Sequence, residues 1–124
     1  MNLVDSSGWL EYLADSKNAK NFASAIENTD ELIVSTINIF EIYKKVLLEK
    51  DENSALQVIG LMQQAKVIDV SLSIAIQAAK FSYEQKVPMA DSIIYITAKV
   101  NEAIVWTQDN DFKDLEGVKY FKKS

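Results

Sequence analysis

The sequence predicts an α/β fold in which a mostly parallel sheet of four or five strands is covered by helices on both faces. Short apolar segments alternate with longer segments of helical periodicity, as in chains that form buried parallel sheets. Glycine (3) and proline (1) are rare, which indicates regular structure joined by short turns. A length of 124 residues fits one domain, residues 1–124, with a single sizeable core.

The strands are predicted from short apolar segments bounded by polar or turn-forming residues. The first covers residues 2–5 and is broken by Ser6-Ser7-Gly8. Three more buried strands and a final edge strand follow, at residues 32–35, 67–70, 104–106 and 119–121.

The helices are predicted from apolar residues that recur every three or four positions. They cover residues 9–15, 19–28, 36–50, 53–65, 71–85 and 89–101. Phe22, Ala25 and Ile26 share one face of the second helix. The fifth helix is marked by Leu72, Ala75, Ile76, Ala79 and Tyr83. Pro88 precedes the sixth helix, and residues 108–115 are expected to form a loop with one helical turn.

The residue types that are missing restrict the chemistry. Without cysteine there are no thiolate nucleophiles, disulfides or zinc–sulfur sites. Without histidine there is no imidazole catalysis and no histidine-bound zinc. Arginine is absent as well, so all 13 basic side chains are lysines. If the protein is an enzyme, its reactive groups are carboxylates, lysines, hydroxyls or a bound metal.

Charge and hydropathy indicate a cytoplasmic protein that does not enter a membrane. No apolar run approaches the length of a membrane span, and no targeting segment is recognisable. The net charge of −5 disfavours a protein that merely coats nucleic acid. It is compatible with a metal nuclease, because a bound cation reverses the local field where phosphate arrives.

Two acidic residues directly follow apolar strands. Asp5 ends the first strand, and Asp109 comes just after the fourth. In parallel sheets, binding sites lie beyond the carboxyl ends of the strands, where the strand order reverses. Each residue also has a structural interpretation: Asp5 is suited to cap a helix, and Asp109 suits a turn. Asp111 is an alternative ligand to Asp109, either directly or through water.

Two further acids lie on predicted helices beside those strand ends. Asp91 begins the sixth helix on the same face as Ile94, Tyr95 and Ala98, which are expected to point inward. A carboxylate on an apolar face needs a partner or a metal, although an acid also favours a helix N-terminus.

Glu41 lies within an apolar stretch of the third helix. Its structural interpretation is an exposed ion pair with Lys45 one turn later.

Convergence of these four acids would require a cation. Two charges within ~6 Å repel by about 3 kcal/mol at an effective dielectric near 20. All pairs together would cost about 17 kcal/mol, more than the typical stability of a domain, about 5–15 kcal/mol. Ligation by oxygen alone selects Mg²⁺ or Mn²⁺.

Four motifs give the sequence a resemblance to the PIN domain, and within it to VapC-like toxins of toxin–antitoxin pairs. They are Val4-Asp5-Ser6-Ser7, Ser35-Thr36-x-Asn38-x-x-Glu41, Ala90-Asp91-Ser92-Ile93-Ile94 and Thr107-Gln108-Asp109-Asn110-Asp111-Phe112. The resemblance spans nearly the whole chain and implies a three-layer α/β/α fold.

The resemblance further implies a Mg²⁺- or Mn²⁺-dependent endoribonuclease that forms a homodimer and is neutralised by a small antitoxin protein. It assigns metal binding to Asp5, Glu41, Asp91 and Asp109. Ser6 and Thr107 match hydroxyl positions that arrange the site. The absence of arginine departs from the family, so lysines such as Lys44, Lys45, Lys80 or Lys86 would have to guide RNA.

The expected reaction is metal-assisted hydrolysis of a phosphodiester, with Asp91 or Glu41 taking the proton of the attacking water. Three alternatives stay open on sequence alone. The chain could be a PIN nuclease of RNA maturation without an antitoxin, or a catalytically silent module that binds a protein. A phosphoacceptor domain is disfavoured, because two serines follow Asp5 where a second acid would be expected.

Overall fold

The computed structural model describes residues 1–123, and its centre is a five-stranded sheet in which all neighbouring strands are parallel. The strands are β1 (Asn2–Val4), β2 (Leu32–Ser35), β3 (Lys66–Ile68), β4 (Ile104–Thr107) and β5 (Val118–Tyr120). Their order across the sheet is β3-β2-β1-β4-β5. The predicted α/β class with a mostly parallel sheet is confirmed.

Six helices connect the strands. They are α1 (Ser6–Leu13), α2 (Ala19–Ile26), α3 (Thr36–Glu49), α4 (Glu52–Met62), α5 (Leu72–Gln85) and α6 (Met89–Val100). Two 3₁₀ turns lie at Thr29–Glu31 and Asn110–Phe112. Along residues 1–123 no helix is both long and apolar enough to cross a membrane.

The sheet separates two apolar cores because successive strand side chains point to opposite faces. On β1, Leu3 packs with Ile74 of α5 and Ile94 of α6. Its neighbour Val4 packs on the other face with Trp9 and Phe22, from α1 and α2. Helices therefore cover both faces of the sheet, and the structure has three layers.

Helix α1 starts earlier than predicted, and the structure shows which side of α5 faces the core. Helix α1 begins at Ser6 rather than at residue 9, because the Asp5 carboxylate accepts a hydrogen bond from the Gly8 amide and caps the helix. The segment Ser6-Ser7-Gly8 is thus its first turn and not a break. Helix α5 turns Ile74 and Ala78 inward, whereas Leu72 and Ile76 are 80% and 61% exposed.

The strand order places a crevice at the carboxyl ends of β1 and β4. After β1 the chain adds β2 and β3 on one side and then returns to add β4 on the other. Val4 and Trp106 are paired in register, so the residues after these two strands emerge side by side. Such a reversal of strand order is where parallel sheets form their binding sites.

Gly8 sets how closely α1 approaches the sheet. A Cβ at this position would lie 2.6 Å from Val4 Cγ1 and 2.8 Å from Phe22 Cδ1. At Gly60, in α4, nothing lies within 4 Å of the corresponding Cβ position.

We therefore expect Gly8→Ala to lower the free energy of unfolding by about 1–3 kcal/mol through overpacking. Gly60→Ala should raise it by about 0.4–1 kcal/mol, because alanine restricts the unfolded chain and favours the helix. Urea denaturation of both variants measures the difference. Equal effects of the two substitutions would contradict this close approach.

Candidate metal centre

Asp5 and Asp109 lie on the same side of the molecule and share one hydroxyl. Thr107, the last residue of β4, donates its Oγ1 hydrogen to Asp5 Oδ2 at 2.8 Å. The same Oγ1 accepts from the Asp109 amide at 2.9 Å. The two strand ends are therefore linked through one buried side chain, at the crevice that the strand order creates.

Asp5 is almost fully buried and held by neutral donors. Its carboxylate accepts hydrogen bonds from the Gly8 amide at 3.0 Å and from Ser7 Oγ at 2.8 Å, in addition to the bond from Thr107. Burial raises the pKa of Asp5 to about 6, although these hydrogen bonds oppose the rise, and the charge of Asp109 adds to it. Asp5 therefore caps helix α1, as one interpretation of the sequence held. It also lies close enough to Asp109 for the two charges to interact.

Three carboxylates form a tight group close to Asp5. Asp91, Asp109 and Asp111 each present one oxygen, and these oxygens lie within 4.8 Å of one another. The first turn of α6 supplies Asp91. Asp109 caps the 3₁₀ turn by accepting from the Asp111 amide at 2.9 Å, which fixes the two residues relative to each other. These residues are called the acidic triad below.

Asp91 shows the electrostatic cost of this arrangement. Its pKa is raised to about 8, first by partial burial and then by a hydrogen bond that its protonated form makes with Asp111. The negative charges of Asp109, Asp111 and Asp5 raise it further. No basic side chain contributes to this shift, so nothing among its causes offsets the repulsion.

Glu41 does not belong to the triad and is held by a hydrogen bond from another part of the site. Ser6 donates its hydroxyl hydrogen to Glu41 Oε1 at 2.7 Å and accepts from Asn38 Nδ2 at 3.1 Å. Asn38 is held in turn by the Ser35 amide, which donates to its side-chain oxygen at 3.0 Å. Glu41 is thereby linked to Ser6, the residue that follows Asp5 in the chain. The alternative of a surface pair with Lys45 does not form, because Lys45 pairs with Glu49 at 3.0 Å.

The structure brings Asp91, Asp109 and Asp111 together, and Asp5 is close enough to raise the pKa of Asp91. Asp111, expected in a supporting place, belongs to this closest group, whereas Asp5 and Glu41 lie outside it and are held by hydrogen bonds from hydroxyls and an amide. Ser6 and Thr107, the two hydroxyl residues named by the motifs, donate hydrogen bonds to Glu41 and Asp5. Asn38 was missed as a contact of Ser6, although the spacing Ser35-x-x-Asn38 is the mark of a capping box.

Two of the lysines expected to guide RNA, Lys44 and Lys45, contact side chains of α3 itself and not this group of acids. Lys44 places its ammonium 5.8 Å from the ring centroid of Phe40, and Lys45 is engaged with Glu49. Both are exposed on α3.

The donor set of the triad fits a hard divalent cation. Three carboxylate oxygens this close repel one another. A small divalent cation bound between them would offset this repulsion, because each oxygen would be attracted to the cation. All-oxygen sites of this kind suit Mg²⁺ and Mn²⁺. The raised pKa of Asp91 accords with this fit, because the negative charges of Asp109, Asp111 and Asp5 add to the effect of burial.

Comparison with known proteins identifies both a family and a set of similar structures. The model of the PIN domain family matches residues 3–118. Among curated protein sequences, none matches this chain.

Similar folds occur in several solved structures. A toxin–antitoxin complex from Klebsiella pneumoniae has a chain with a TM-score of 0.82 and 19% identity, covering 99% of this chain and 100% of its own. VapC20 from Mycobacterium tuberculosis, described as a toxin that cleaves the sarcin–ricin loop, has a TM-score of 0.78 and 15% identity, with coverages of 95% and 97%. DNA-bound VapBC from Salmonella typhimurium has a chain with a TM-score of 0.75 and 17% identity, and the match covers 98% of both chains.

The titration of Asp5 and Asp91 predicts how stability depends on pH without metal. Both carboxyls keep their protons to a higher pH in the folded chain than the ordinary aspartate value of 3.8. The folded state therefore binds more protons than the unfolded state, and the free energy of unfolding falls as pH rises from about 4 to about 8. Asp5 alone accounts for a loss of up to about 3 kcal/mol.

We expect the melting temperature in EDTA to be lower at pH 8.5 than at pH 5.5. Asp91→Asn should raise it at pH 8.5 and flatten the pH profile, because it removes one charge from the group. Saturating Mn²⁺ should restore the stability of the unsubstituted chain. If the melting temperature in EDTA instead rose with pH, the raised pKa values of Asp5 and Asp91 would be contradicted.

Proposed function

Because the chain belongs to the PIN domain family, we propose that it is a nuclease that hydrolyses RNA phosphodiesters with the help of a divalent cation. The observation that carries the proposal is the acidic triad, three carboxylate oxygens within 4.8 Å of one another at the point where the strand order reverses. RNA is the substrate class that the family resemblance implies, and one structural neighbour is described as cleaving the sarcin–ricin loop.

Asp91, Asp109 and Asp111 are the residues proposed to hold Mg²⁺ or Mn²⁺. A divalent ion bound there would polarise the phosphate and lower the pKa of a bound water. Asp5 contributes negative charge close to Asp91 and Asp109, and hydrogen bonds from Ser7, Gly8 and Thr107 fix its carboxylate. The triad binds a cation only after Asp91 has lost its proton, so cation affinity rises with pH up to about 8.

Glu41 is the residue proposed to take the proton of the attacking water. It lies outside the triad, and its carboxylate is oriented by the hydroxyl of Ser6. Asp91 is less suited to this task, because its carboxylate is proposed to bind the cation and is then not free to accept a proton. An oriented carboxylate near the reacting water is the arrangement that general base catalysis requires.

The proposed biological role is that of the toxin in a toxin–antitoxin pair acting in the cytoplasm. Support comes from the structural neighbours, several of which are toxin–antitoxin complexes. A groove of about 380 Å³ between α1, α3 and α4 offers an apolar surface for the antitoxin. Its apolar lining includes Leu10, Leu13, Val46, Val58 and Leu61.

The exposed apolar side of α5 is the surface proposed for a homodimer. Leu72, Ile76 and Tyr83 are 80%, 61% and 79% exposed, and Met89 lies at the start of the next helix. Light scattering of the purified chain should give twice its 14.0 kDa mass, and Ile76→Asp with Tyr83→Asp should give a monomer. A monomeric unsubstituted chain would exclude this dimer.

The nuclease proposal is tested by the cleavage of a 5′-labelled RNA with Mn²⁺ and with EDTA. Cleavage should require Mn²⁺, and Asp91→Asn, Asp109→Asn or Asp111→Asn should each slow it by about 100-fold or more. Asp114→Asn is the matched control, because it removes an exposed acid just beyond the triad. Folded triad variants that cleave at the normal rate would refute the proposal.

The same assay separates the role of Glu41 from that of the triad. Glu41→Gln should lower kcat by about 100-fold or more without changing the Mn²⁺ concentration that gives half-maximal activity. Asp109→Asn should raise that concentration. An equal rise for Glu41→Gln would make Glu41 a metal ligand instead of the proton acceptor.

A further inference from the structure

A second groove runs from the acidic triad along the end of the chain. It has a volume of about 490 Å³, and Asp109 belongs both to its lining and to the triad. The other side chains used below are Asn110, Lys113, Tyr120, Lys122 and Lys123. It is called the lysine groove here, because three of the 13 lysines of the chain line it.

The wall that carries Lys122 and Lys123 is fixed by backbone contacts. The Phe121 amide donates to the Thr107 carbonyl at 2.8 Å, which extends the pairing of β5 with β4 by one residue. The Phe121 ring packs edge-on against Phe22 at 5.2 Å between centroids. Asn18 Nδ2 then donates to the Lys122 carbonyl at 3.1 Å. The two lysines therefore start from an anchored backbone, and their exposed side chains extend from a defined place.

An aromatic ring, that of Tyr120, lies beside Lys113 and is tied to the turn that carries Asp109 and Asp111. The Tyr120 hydroxyl donates to Asn110 Oδ1 at 3.0 Å, which ties the ring to the turn that carries Asp109 and Asp111. The Lys113 ammonium lies 5.9 Å from the centroid of this ring, within the range of a cation–π contact. Tyr120 is half-buried, so part of its ring faces the groove.

The charge of this groove complements a polyanion that must approach a group of acids. The chain as a whole carries −5, and the triad itself repels phosphate until a cation is bound. Ammonium groups on one side of the triad offset that repulsion along a single path. Lys45, by contrast, already has Glu49 as its partner. Lysines that contact phosphates and aromatic rings that stack on bases are the two parts of single-strand recognition.

We infer that the lysine groove binds the RNA strand next to the cleaved phosphodiester. Lys113, Lys122 and Lys123 contact successive phosphates, and Tyr120 stacks on a base. This inference rests on the proposed nuclease function and adds the path of the substrate to it. It selects single-stranded RNA as the substrate form, because only unpaired bases are free to stack on the Tyr120 ring.

Binding of a 5′-fluorescein-labelled single-stranded RNA of about twelve nucleotides, measured by anisotropy in EDTA at several salt concentrations, tests the inference. EDTA prevents cleavage and leaves the triad without a cation, so at each salt concentration the repulsion by the triad is the same for every variant. The groove variant is Lys122→Ala with Lys123→Ala. The matched control is Lys66→Ala with Lys99→Ala, which removes the same charge from exposed positions at the start of β3 and the end of α6, away from the triad.

The groove variant should bind RNA about 10- to 30-fold more weakly at 0.1 M salt. Its slope of log affinity against log salt should be smaller by about 1.4, because each lost phosphate contact removes about 0.7. The control should keep the affinity and the slope of the unsubstituted chain. Tyr120→Leu should weaken binding about five-fold or more at an unchanged slope, because stacking displaces no counterions.

Equal losses in the groove and control variants, or no loss in either, would overturn the groove as the RNA path. If RNA binding were unchanged in the groove variant, the lysines would instead be assigned to binding an acidic protein surface. Cleavage with Mn²⁺, measured on the same preparations, keeps the two claims apart. Cleavage together with binding that does not depend on the groove would refute only the groove. Groove-dependent binding without any cleavage would refute the nuclease and leave an RNA-binding surface.

Discussion

The crowding of carboxylates at the carboxyl ends of β1 and β4 is the interaction on which the rest of this structure depends. Asp91, Asp109 and Asp111 lie within 4.8 Å of one another, with Asp5 buried close to them. Such a group destabilises the folded chain at neutral pH, where burial and the neighbouring negative charges raise the pKa of Asp91 to about 8. Proteins retain strain of this kind at sites where a ligand relieves it.

The surrounding fold holds the acids in place without neutralising them. Hydroxyls and amides from Ser6, Ser7, Gly8 and Thr107 bind Asp5 and Glu41, and they orient the carboxylates while leaving their charge intact. An arginine or lysine in these places would pair with the acids and compete with a cation. The close packing of Gly8 on Val4 also helps to hold Asp5 in place. It brings the first turn of α1 close to the sheet, and the Asp5 side chain caps that turn.

Much of this arrangement could be predicted from the sequence, because it depends on local patterns and one topological rule. Alternating apolar and helical segments predict the parallel sheet, and Asp5 and Asp109 follow strands that such a sheet places side by side. The closest grouping could not be predicted. Asp111 enters the triad through the 3₁₀ turn capped by Asp109, and Glu41 depends on Ser6 and Asn38, contacts that only tertiary structure brings together. The same holds for α5, where periodicity identified the helix but left open which side faces the core.

Acidic and basic side chains lie close together at the edge of the sheet where the strand order reverses. The acids of the triad lie at this edge, and three lysines line the groove next to them. This distribution of charge would let an acidic protein bind both a metal and RNA.

Anomalous diffraction from a crystal soaked in Mn²⁺ tests the triad most directly. We expect a manganese peak between the carboxylates of Asp91, Asp109 and Asp111, and its loss in Asp109→Asn crystals. Manganese bound only elsewhere, or a triad that stays empty at millimolar Mn²⁺ and pH 8, would contradict the metal centre.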